Sequence, residues 1–215
     1  MEIVLEHFAG SQALRLDSGS YTNELGQHFT VTKFKYYLSN FQLKSVDGKE
    51  YNSKEVFLVN EEEASSKKIF LPDVPTGNYS SLSFTLGVDS ILNCSGIQSG
   101  ALDPVNGMFW TWNTGYIFLK LEGKSPVSKS PANMYEFHVG GYKSPANCIR
   151  RITLPLDQKS VKEPLRQIVL RADVLELFKS PEKVDLSVLS SVTDFHNAEM
   201  MADNYADMFS VLEIH

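Results

Sequence analysis

Hydrophobic and polar residues alternate with period two through most of this chain. "EIVLEHF" and "SQALRLD" do so on either side of Ala9-Gly10, and "KEVFLVN", "KKIFLP", "YSSLSFTLGV", "WTWNTGYIFLKLEG", "MYEFHVGG", "NCIRRITLPL" and "RQIVLRADV" continue the habit. Successive side chains of a strand point to opposite faces, so each segment predicts a strand with one face buried. "HFTVTKFKYYLSNFQLKSV" predicts one long strand with a peculiarity. Phe29, Val31, Lys33 and Lys35 share one face while Phe34, Tyr36 and Leu38 share the other, so the apolar side changes along its length. A bulge, or a strand crossing between sheets, has that effect. Turn signals at Asp47-Gly48, Thr76-Gly77-Asn78, Asn106-Gly107, Gly123 and Gly140-Gly141 punctuate the pattern.

Many short strands without intervening helical periodicity predict an all-β fold, an antiparallel β-sandwich of Greek-key-like type. A small helical addition is expected near the C-terminus. "FHNAEMMADNYADMF" (195–209) sets Phe195, Ala198, Ala202, Tyr205 and Phe209 at helical spacing, with Asp194 as N-cap. "ADVLELFKS" (172–180) is a shorter helical candidate. No linker divides residues 1–215, which read as a single domain. The longest irregular stretch is the loop 89–107, and long loops on a sandwich carry function more often than strands do.

Composition narrows the possible functions. The chain is 42% hydrophobic and 21% charged, an ordinary globular balance. Its net charge is −6 and its most basic spot is Arg150-Arg151, which argues against nucleic acid as a partner. No apolar run is long enough for a transmembrane helix, and "MEIVLEHFAG" lacks a basic region followed by an apolar leader. P-loop, GxGxxG, HExxH, GxSxG and paired-histidine spacings are all missing, so the expected role is non-enzymatic.

The remaining chemistry is scattered. Both tryptophans, Trp110 and Trp112, fall in "NGMFWTWNTGY", where a strand would place them on one face. They read either as a core ladder, as a stacking platform, or as indoles beside a metal. His138 alternates outward with Glu136 on its strand. Asp89, Asp103 and Asn106 read as oxygen ligands for a cation or as ordinary turn-capping groups. Cys94 and Cys148 fit no CxxC pattern and read equally as a disulfide or as two buried thiols.

"GALDPVNGMFWTWNTGYIFLKLEG" followed by "YEFHVGG" resembles the methanobactin-partner (MbnP-like) family of exported bacterial proteins. "SGSYTNELGQHFTVTKFKYYLSNFQL", "LPDVPTGNYSSLSFTLGVD" and "DNYADMFSVLEI" extend the resemblance over nearly the whole chain. It implies a β-sandwich in the periplasm or on the cell surface, often as a lipoprotein. It also implies copper storage or handover, with His138, His196 and Met108 as candidate ligands, since copper favours imidazole and sulfur donors. In some relatives a partner di-haem peroxidase oxidises a tryptophan, a role that would fall to Trp110 or Trp112. Export also implies a Cys94–Cys148 disulfide. A second reading is a ligand-recognition module for a glycan or a protein, using the aromatic residues and the 89–107 loop.

Overall fold

In the computed structural model, residues 1–110, 115–157 and 165–215 are described. The principal strands are β1 (Glu2–Ala9), β2 (His28–Ser45), β3 (Glu50–Asn60), β4 (Tyr79–Leu86), β5 (Leu119–Lys124), β6 (Met134–Val139), β7 (Arg150–Pro155), β8 (Gln167–Asp173) and β9 (Phe209–Ile214). Among the described residues two α-helices, α1 (Ser90–Cys94) and α2 (Phe195–Tyr205), join them. One sheet runs β9-β8-β1, and the short strands Gln12–Ala13 and Lys68–Phe70 also pair with β1. The other runs β7-β4-β2-β5-β6, with β3 along the free side of β2. Pairing is mainly antiparallel, as the alternation predicts. The exceptions are β1 with β8 and β6 with Ser191–Val192, parallel pairs between segments far apart in the chain.

The long strand β2 organises the second sheet. On one side it pairs with β3 from Lys35 to Lys44. On the other it pairs first with β5, from Thr30 to Tyr36, and then with β4, from Leu38 to Ser45. Tyr37 stands at the handover, where its N–H donates to Phe118 O at 2.9 Å and its carbonyl accepts from Gly87 N–H at 3.0 Å. Both backbone groups of Tyr37 are thus paired where one neighbour gives way to the next, as burial requires.

The predicted change of face is present, and it occurs twice. The β2–β5 register slips between Lys33 and Val31, leaving Thr32 as an extra residue and moving the inward set from Phe29 and Val31 to Phe34, Tyr36 and Leu38. A second irregularity at Asn40, whose φ is 51°, returns the inward set to odd positions, Phe41 and Leu43. Side-chain period is two, so a single inserted residue suffices each time.

Aromatic rings join the sheets. Tyr36 and Phe84 of the second sheet meet Phe209 of the first edge-on at 5.7 and 5.0 Å. Phe29, Tyr135 and Phe137 pack around Phe178. The C-terminal helix is shorter than predicted. It stops at Tyr205, and Phe209 instead opens β9. Ala198, Ala202 and Tyr205 are buried as the stripe requires, while the side chain of Phe195 lies outside the described set. The 172–180 candidate is split between the end of β8 and a 3-10 turn, Val174–Phe178, initiated by the Asp173 carboxylate. Among the described residues no helix is long and apolar enough to cross a membrane.

Gly87 at this junction has little room to change. Its φ is +121°, and a Cβ there would lie 2.9 Å from the Phe118 ring. Gly87→Ala combines a disfavoured backbone with a steric clash. It should therefore cost about 1–3 kcal/mol, read as a lowered urea midpoint with unchanged m-value.

Candidate functional site

The 89–107 loop closes the end of the sandwich beside the β2 handover. Its hold on the sheet is specific. Tyr37 donates its hydroxyl to Ala101 O at 2.9 Å, and Tyr116 donates to Leu102 O at 3.0 Å, the two rings meeting edge-on at 5.9 Å. The buried Asn93 spans the loop base, donating to Val88 O and Asp89 O and accepting from Tyr116 N–H at 3.1 Å. Burial pushes the Tyr37 phenol far above its ordinary value, with the Tyr116 hydroxyl adding to it, so the group serves as a donor.

Capping accounts for the acidic and amide groups of this loop. Asp89 accepts from Leu92 N–H and Asp103 from Val105 N–H, each at 2.9 Å, and Asn106 donates to Gly100 O and Ala101 O. This is turn chemistry, so the oxygen-ligand reading of these three residues is set aside.

"WTWNTGYIFLKLEG" is not one strand. Phe109–Trp110 pairs with Gly115–Tyr116 in a two-stranded ribbon, and β5 begins only at Leu119. Trp112 lies outside the described residues, so the same-face tryptophan ladder has no structural description. Trp110 is partly buried, and its six-membered ring packs so close to Gly140 that a Cβ there would lie 2.8 Å away. Its indole also walls a cleft of about 170 Å³ with Asn93, Tyr116, Tyr142, Lys143 and Pro145.

His138 projects from the outer face of β6, as its alternation predicts, two residues before Gly140. Its Nε2 hydrogen-bonds Glu122 Oε1 at 2.8 Å, and Lys33 Nζ meets the other carboxylate oxygen, also at 2.8 Å. The His138 hydrogen bond, then Lys33, hold the Glu122 carboxyl down to about 2 despite its partial burial. Lys120 lies directly opposite His138 and donates to Gly107 O at 2.6 Å, tying this row to the base of the tryptophan ribbon. Partial burial lowers its ammonium pKa, and the nearby Lys33 and Lys35 push the same way against Glu122.

The structure does not gather the predicted ligands into one site. Met108 is wholly buried in the core, its backbone carbonyl bonded to Ile117 N–H, and presents no thioether outward. His196 is exposed in the first turn of α2. Among the described residues no three His, Cys, Asp or Glu side chains converge on a metal position, so His196 does not join His138 and Glu122. Copper chemistry calls for several imidazole or sulfur donors. On this face the described residues supply one carboxylate-backed imidazole, His138 on Glu122 with Lys33 on the same carboxylate, which is not a complete copper site.

The expected disulfide is also absent. Cys94 is exposed on α1. Cys148 is buried, donates to Gly140 O at 3.3 Å, and has its thiol pushed up to about 12 by burial. Sequence reasoning missed Glu122, Tyr37 and Asn93. The first was readable only as an acid at an outward position, and the others look like ordinary strand and loop residues until the register is known.

Comparison with known proteins adds the family. No curated protein matches the chain. Among solved structures, MbnP from Methylosinus trichosporium is similar in fold, with a TM-score of 0.58 at 16% identity over 90% of this chain and 81% of that one. The MbnP family model matches residues 1–200, and the chain therefore belongs to the MbnP family.

Proposed function

We propose that this chain is a non-enzymatic, exported binding protein acting in the copper context of its family, working from the outer face that carries His138 and Trp110. One observation supports the reading above others. His138 is fixed through Nε2 by Glu122, leaving Nδ1 as the ring nitrogen free for a ligand. Metal-binding imidazoles are commonly oriented in this way by a carboxylate on the other nitrogen. His138 is then the one imidazole this face contributes, and the remaining donors arrive with the copper complex. Storage or handover, and not turnover, suits a site with so few groups. Residence in the periplasm or on the cell surface, a lipid anchor, and a di-haem peroxidase as oxidant of Trp110 or Trp112 belong to the same proposal.

A second reading has its own support. Trp110, Tyr116 and Tyr142 line an open cleft against the 89–107 loop, the arrangement of a recognition pocket for an organic ligand.

Copper titration of the purified protein, with His138→Ala and Trp110→Ala alongside and intact mass read on each, separates them. The copper reading expects binding near one equivalent, abolished in His138→Ala and weakened about 10–100-fold in Glu122→Gln, the usual effect of removing an orienting carboxylate. An intact-mass gain localised to a tryptophan would report the oxidation. Absence of stoichiometric copper in the wild type would sink the metal reading and leave the cleft as the functional element.

A further inference from the structure

A second polar constellation lies away from this face, inside the seam between the sheets. His7 alternates inward from β1 among Ile3, Leu5 and Ala9, and only 1% of its side chain is exposed. Its Nε2 meets the Tyr36 hydroxyl of β2 at 2.7 Å, across the seam. Its Nδ1 meets Glu61 Oε2 at 2.5 Å, just beyond the end of β3, and Lys67 Nζ reaches the same oxygen at 2.9 Å. The rings of Phe34 and Tyr36 stand edge-on to the imidazole at 5.0 and 5.5 Å. One imidazole therefore joins the first sheet, the second sheet and the segment that crosses between them.

Hydrogen-bond inventory decides which protonation state fits. A neutral imidazole donates from Nδ1 to the Glu61 carboxylate and accepts at Nε2 from the Tyr36 hydroxyl, so every group is satisfied. A doubly protonated ring directs N–H from Nε2 at the Tyr36 oxygen. The phenolic hydrogen must then turn away into a pocket of Phe34 and Phe209 rings. The charged groups that face His7 are Glu61 and Lys67, with Glu6 and Lys68 on the rim of the shallow recess outside it. From the neighbouring strands β8 and β9 the facing residues are Ala172 and Phe209, neither of which titrates.

We propose that His7, Tyr36 and Glu61 form a pH-sensitive latch, closed while the imidazole is neutral and opened by acid, which releases the 61–67 segment from the sheet seam. Burial, more than any other influence, holds the His7 pKa below the ordinary 6.5, and Lys67 acts in the same direction against the attraction of Glu61. The sign follows from linkage. Above about 6.5 the ring is neutral whether the latch is open or closed, so the latch keeps its full strength. As pH falls below that value the open form takes up a proton that the closed form refuses, and closure weakens until the lowered closed-state pKa is reached.

The test is amide exchange and histidine NMR on the intact chain. In the wild type, Nδ1 should carry the proton and the ring should titrate below 6.5. Between about pH 7.5 and about pH 5, protection of the Glu61 and Ser66 amides should fall roughly tenfold or more after correction for intrinsic exchange, and His7→Gln should abolish that dependence. Where His7→Gln fails to fold, Glu61→Gln keeps the hydrogen-bond acceptor but removes its charge, and should move the His7 midpoint lower still. A His7 midpoint at or above 6.5, flat protection in the wild type, or an unmoved midpoint in Glu61→Gln would each overturn the latch.

Discussion

One strand must satisfy hydrogen bonds to β3, β4 and β5 at once, and the rest of the second sheet is arranged around that demand. The 18 residues of β2 extend roughly 60 Å at about 3.3 Å per residue, well beyond either of the partners that share one of its sides. A flat strand of this length would carry its apolar face out of the core as the sheet twists. The irregularities at Thr32 and Asn40 reset the face, so inward side chains follow the core from Phe29 to Leu43. Tyr37 is where the β5 and β4 sides meet. Its backbone bonds Phe118 and Gly87, and its phenol holds the 89–107 loop through Ala101 O. The candidate functional end of the molecule is thus a consequence of how the longest strand changes partners.

That dependence explains a division of labour among the aromatics. Tyr36 and Tyr37 are adjacent, so they point to opposite sides of β2. Tyr36 faces the seam, packing on Phe34 and Phe209 and bonding His7. Tyr37 faces the loop, packing on Tyr116. Each buried hydroxyl finds one partner, which burial of a phenol requires. Trp110 differs from them. It is only partly buried, packs against a glycine that leaves room for its ring, and borders open space.

The alternation of single segments made most of the fold legible in the sequence. β1, β6 and β7 read directly from period two, and the outward position of His138 followed from the same rule. The change of apolar face along "HFTVTKFKYYLSNFQLKSV" disclosed a break in register, although its two locations depend on partners that sequence does not name. Segments whose ends are decided by tertiary contacts were misread. The 109–124 stretch alternates well enough to pass for one strand, yet Met108, Ile117 and Phe118 are drawn into the core and break it into a ribbon and β5. Helical spacing continued to Phe209, but that ring is more valuable between Tyr36 and Phe84, so the helix ends at Tyr205. The candidate site was legible only residue by residue. His138 and Trp110 can be named as candidates from the sequence, whereas Glu122 and Lys120 become relevant only through the register Lys120↔His138 and Lys33↔Glu122.

The same register explains why the ligand set expected from sequence does not assemble. A protein that preforms a site for a metal cation concentrates donors without nearby positive charge. Here Lys35, Lys120 and His138 occupy one cross-strand row, and the carboxylate of the next row is already matched by Lys33. Like charges directly opposite one another weaken a sheet, and Lys35 opposite Lys120 is tolerated because Gly107 O and the neighbouring acids take up the ammonium groups. The outward face of β5 and β6 therefore carries an oriented imidazole within a row of paired charges, Lys33 on Glu122 and Lys35 near Glu62, beside an indole and a pinned loop, and among the described residues no set of three donors converges there.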